Sequence, residues 1–107
     1  MTYVTSENLI DKPSDKIDLR SLLNELWMFS QSPYTLNHVL NFVKNGSISV
    51  DISNLNEHSD RWDGCINIKL IKISNHDLVS LIAMFVNNCR VSEIKMLPND
   101  VIRFWWD

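Results

Sequence analysis

The sequence predicts an α+β domain, and three observations carry that expectation. Two segments of helical period precede residue 46, two pairs of period-two segments follow, and one long apolar helix separates the pairs. The expected order is α-α-β-β-α-β-β, with a mainly antiparallel four-stranded sheet and helices packed on it. The chain has 107 residues and 45% hydrophobic content. That suits a single domain over 1–107 and leaves no room for a second core.

Residues 1–13 are polar and aperiodic, and Pro13 closes them. They read as an extended lead-in, with Tyr3, Val4, Leu9 and Ile10 available to tuck onto the domain. A first helix is expected over Leu19 to Phe29. Asp18 suits its N-cap, and Ile17 can staple against Leu22. Leu19, Leu22, Leu23, Leu26 and Trp27 share one broad apolar face. The second helix has Ser32 as cap, Pro33 in the first turn, and Asn45-Gly46 as a left-handed exit. Leu36, Val39, Leu40 and Val43 give its buried stripe.

Beyond Gly46 the period drops to two. Ile48, Val50 and Ile52 alternate with Ser49, Asp51 and Ser53, which predicts a strand with one wet face. Ile66, Ile68 and Leu70 alternate with Asn67 and Lys69 before the phase slips at Ile71 and Ile73. A bulge or burial of both faces would account for that slip. The two strands are expected to pair as an antiparallel hairpin with a long connection. Ser74 and Asp77 form a capping box for a third helix over Asn75 to Asn88. Its apolar residues run almost all round, so it is expected to be the most buried element. Val91 to Leu97 and Val101 to Trp106 are the last two strands, joined by a tight turn through Pro98-Asn99.

Net charge is −3 and the sequence pI is about 5.5, which weighs mildly against a nucleic-acid partner. No apolar run approaches the length of a membrane span, and the N-terminus lacks the pattern of a secretion signal. The expectation is a cytoplasmic protein with no membrane partner, in which Cys65 and Cys89 are reduced and inert. Isoleucine and asparagine are frequent and alanine occurs once, at Ala83. That bias is typical of an AT-rich gene and points weakly to a bacterial source.

No set of residues dictates a chemistry. His38, His58 and His76 fall on three different elements, where a metal centre would need several converging ligands. Cys65 opens an apolar strand and Cys89 closes an apolar helix, so packing explains both better than nucleophilic catalysis does. Two glycines cannot build a phosphate loop. The chain is therefore expected to be no enzyme and to need no cofactor.

The most informative stretch is Asn54 to Gly64, where Glu57, Asp60 and Asp63 surround Trp62 between two strands. A surface loop has little structural need for a tryptophan, whereas aromatic plus acid suits contact with a positively charged partner. The expected partner surface comprises Asp51, Glu57, Asp60, Trp62 and Asp63. Trp105 joins it if alternation turns that residue outward on the last strand. The corresponding function is a protein-binding module, namely an immunity protein or inhibitor that neutralises a basic toxin such as a nuclease. The alternatives are a winged helix-turn-helix regulator, reading DNA with Asn37, His38, Asn41 and Lys44, and a small enzyme. Oligomeric state is not legible.

Overall fold

A computed structural model of the chain describes residues 3–6, 19–24, 26–51 and 64–106, and every structural statement below concerns these. The element order is β1 (Tyr3–Val4), α1 (Leu19–Asn24), α2 (Trp27–Ser30), α3 (Pro33–Lys44), β2 (Ile48–Asp51), β3 (Gly64–Leu70), α4 (Asn75–Asn87), β4 (Glu93–Leu97) and β5 (Val101–Trp106). The strands form one antiparallel sheet in the order β1-β2-β3-β5-β4.

The sheet has five strands where the sequence suggested four. The extra one is β1, inside the presumed lead-in, pairing Tyr3 with Asp51 and Val4 with Val50. Two residues carry no detectable period; only the neighbouring edge of β2 makes them a strand. The first helix also differs. It stops at Asn24, and a separate short helix begins at Trp27. Leu26 sits at the break, its amide donating to the Leu23 carbonyl at 3.0 Å. The proposed cap at Asp18 lies outside the described residues.

The caps of the longer helices are local devices, and they form as the sequence implies. Ser32 Oγ accepts from the Thr35 amide at 3.4 Å and lies 2.8 Å from the Thr35 hydroxyl. Ser74 Oγ accepts from the Asp77 amide at 3.1 Å. Gly46 leaves α3 at φ +78°, a conformation that glycine adopts without steric cost.

Packing departs from the pattern in three places. All four residues of β2 are buried, so the expected wet face is covered there. The phase slip after Leu70 is neither a bulge nor double burial. The strand simply ends, leaving Ile71 exposed and Ile73 half-buried. Finally, α4 is not buried all round: Leu81, Met84 and Phe85 enter the core while Val79 and Val86 face outward.

The core lies between the helices and one face of the sheet. Phe85 stacks on Phe104 at 4.1 Å between centroids, and Phe29 meets Phe85 edge-on at 5.7 Å. Trp106 joins them at 5.9 Å from Phe85, with its indole N–H donating to the Cys89 carbonyl at 2.8 Å. Val4, Val50, Ile66, Ile68 and Ile102 complete the sheet side of this layer.

Candidate functional site: the sheet face opposite the helices

Since Ile102, Phe104 and Trp106 enter the core, alternation sends Val101, Arg103 and Trp105 to the opposite face. The ladder registers then assemble that face row by row. Tyr3, Asp51, Asn67, Arg103 and Lys95 stand in register across all five strands. Cys65, Trp105 and Glu93 form a row on one side of it, and Ser49, Lys69, Val101 and Leu97 a row on the other.

Arg103 is the centre of this face. Its Nε donates to Asn67 Oδ1 at 2.9 Å, which fixes the guanidinium across β3 and β5. On one side lies a hollow of about 380 Å³ bounded by Tyr3, Asn67, Lys69, Arg103 and the Pro98-Asn99 turn. On the other lies one of about 220 Å³ lined by Glu93, Lys95, Arg103 and Trp105. Guanidinium and ammonium groups beside a half-open indole suit a protein surface that offers carboxylates and an apolar side chain.

Of the residues the sequence singled out, the structure brings Asp51 and Trp105 to this face. Trp105 is 37% exposed. Asp51 is only 5% exposed, so its carboxylate acts chiefly on its neighbours. Burial pushes the Tyr3 hydroxyl up, and Asp51 adds to that shift against a smaller opposing effect of Arg103. Burial likewise pushes the Cys65 thiol up; Arg103 partly offsets this and Asp51 reinforces it. A thiol held in its neutral form is a poor nucleophile. Glu57, Asp60, Trp62 and Asp63 lie outside the described residues. Of the described residues on either side of them in sequence, Asp51 pairs with Asn67 and Gly64 pairs with Trp106, beside Trp105.

Sequence reasoning did not single out Lys69, Lys95 or Asn67 for this face. The missed signal was the outward phase of three strands taken together. Only the register shows that those phases meet on one face.

The other residues weighed from the sequence are placed in part, His58 lying outside the described residues. His38 is half-buried with its ring 4.4 Å from that of Tyr34, and His76 is exposed on α4. Among the described residues, no group of three or more His, Cys, Asp or Glu could hold a metal ion. No described helix is long and apolar enough to cross a membrane. In α3, Asn37 Oδ1 already accepts from Arg20 at 2.7 Å, and the β2–β3 pair is the middle of the sheet rather than a projecting wing. Compared with known proteins, the chain matches no family model, no curated protein and no solved structure.

Proposed function

We propose that this chain is a protein-binding module, an immunity-type inhibitor that neutralises a basic toxin such as a nuclease by direct contact. The observation that supports protein binding is the sheet face opposite the helices, where half-open Trp105 stands in register with Glu93. Arg103 and Lys95 beside it suit carboxylates. The basic character of the partner rests on the acidic residues between β2 and β3 and the net charge of −3 alone. A tryptophan on a rigid sheet is a ready anchor, since a partner desolvates it at little entropic cost. The sequence between β2 and β3 carries Glu57, Asp60, Trp62 and Asp63, and in this reading it adds the acidic groups. A nuclease holds its substrate with basic groups, so an acidic loop competes for that cleft while the sheet face grips its margin.

This reading expects a larger toxin gene directly before this one, and the test is co-expression with its product. The chain is expected to restore growth, to bind the purified toxin, and to lose about 2 kcal/mol or more of affinity in Trp105→Ala. Failure of the purified proteins to bind would overturn the reading. Steep salt-dependent binding to duplex DNA would instead favour a regulator.

A further inference from the structure

We propose that β4 is a dimer seam, through which two copies of this chain pair antiparallel about a two-fold axis at Ile94 and continue the sheet from one copy into the other.

The sheet has two edges, and they are unequal. At one, β1 contributes two residues; at the other, β4 contributes five and pairs, among the described residues, with β5 alone. An edge of that length presents a row of outward N–H and C=O groups, which proteins commonly blunt with proline, a bulge, an inward charge or charged side chains such as lysine. Here Glu93 and Lys95 are the charges on the outward face. Glu93–Leu97 contains no proline and pairs with β5 in unbroken register. Its helix-side positions are Ile94 and Met96, neither of them charged, and Met96 is 63% exposed.

The charges of β4 are mismatched within the monomer. Lys95 stands opposite Arg103, a like-charge pair, and Glu93 stands opposite the Trp105 ring. Directly opposed like charges destabilise a ladder, whereas opposed unlike charges support it. A second β4 laid antiparallel and centred on Ile94 reverses the situation. Glu93 then faces Lys95 of the second copy, Lys95 faces Glu93 of the second copy, and Ile94 meets Ile94. Moving the centre by one residue, to Lys95, would set the two lysines against each other. The charges thus favour one register over its neighbour.

The helix layer agrees. At 100° per residue, Val79 lies on the side of α4 opposite Asn88, with Val86 and Ile82 beside it. Asn88 marks the flank that faces α3, donating to Thr35 Oγ1 at 3.2 Å. Because α3 packs over β2 and Phe85 of α4 stacks over β5, the Val79 flank overlooks the β4 edge. Val79 is 67% exposed and Val86 46%, an uncovered apolar stripe on this flank. The same two-fold axis turns the second copy's stripe toward it, so strand charge and helix surface select one occupant. The resulting pair displays two Trp105 surfaces on one broad face. A five-residue seam is small, so the dimer is expected to be concentration-dependent.

Sedimentation equilibrium on the full chain tests this with three variants. The wild type is expected to associate as concentration rises through the micromolar range into the millimolar. K95E and E93K each place like charges together twice across the seam and are expected to weaken association at least tenfold. The double variant E93K/K95E restores both attractions with reversed polarity and is expected to regain most of the lost association. K95E faces Arg103 with an opposite charge, so its monomer stays folded, which circular dichroism verifies. A wild type still monomeric at millimolar concentration would overturn the proposal. So would single variants that associate as well as wild type, or a double variant no better than the singles.

Discussion

At the scale of single residues, Cys89 shows how far burial alone can move a titrating group. Its thiol is buried beneath the layer closed by Trp106, and burial pushes it up to about 11, against a hydrogen bond with Thr35 that acts the other way. The sign follows directly. In the unfolded chain the thiol ionises near 9.0, while in the folded chain it stays protonated until about 11. The neutral thiol's full contribution to stability is therefore present below pH 9.0, and it is lost as pH rises through about 11. Denaturant unfolding followed from pH 8 upward is expected to show stability falling across that window, with a shallower fall in Cys89→Ala. Identical slopes in the two proteins would show that the thiol titrates alike in both states. The Tyr3 hydroxyl, also pushed up by burial, contributes a further decline of the same sign that Cys89→Ala leaves in place. Cys65 is half-buried on the opposite face of the sheet from Cys89, and its raised thiol makes no reactive site. Cys65→Ala is accordingly expected to leave partner binding largely intact in a titration calorimetry comparison, as is His58→Ala.

At the scale of elements, α4 separates what a helical pattern reveals from what it conceals. Its start was legible because the Ser74–Asp77 cap is a contact between neighbours in sequence. Ser74→Ala is expected to cost about 1 kcal/mol in urea unfolding. Which apolar residues of α4 reach the core was not legible, because Val79 and Phe85 look alike in a nearly all-apolar segment. Phe85 stacks on Phe104 and touches Phe29, so Phe85→Ala is expected to cost about 3–5 kcal/mol through cavity formation. Ile82 is half-buried and is expected to cost less, and Val79→Ala less than about 1 kcal/mol. A Phe85→Ala loss no larger than that of Val79→Ala would place the helix outside the core. The same distinction explains the strands. Alternation in Val101 to Trp106 separated two faces without saying which is the core, which the burial of Ile102, Phe104 and Trp106 decides, whereas β1 had too few residues to show any period. The row from Tyr3 to Lys95 depends on five strands being in register, and no single segment encodes it.

At the scale of the molecule, the two halves of the proposed partner surface differ in sign, and that difference can be measured. The sheet face carries Lys69, Lys95 and Arg103 near Trp105, while the sequence between β2 and β3 carries Glu57, Asp60 and Asp63 close to Trp62 in the chain. With a net charge of −3, the long-range field of the chain favours approach of a basic partner. Asp60→Lys and Asp63→Lys are therefore expected mainly to slow association, and the effect should shrink as salt rises and screening sets in over about 8–10 Å. The two tryptophans should act differently, through the rate of dissociation once the complex has formed. Trp62→Ala and Trp105→Ala are each expected to weaken the complex by about 2 kcal/mol or more if their side chains anchor it. Since Trp105 is already 37% exposed in the sheet, its removal should cost the fold much less than it costs the complex. Affinity and unfolding measured together on both variants decide the matter. Lost stability with unchanged affinity in Trp62→Ala would make that residue part of the fold and leave the Trp105 face as the docking surface. The same result in both variants would remove protein recognition from this side of the molecule.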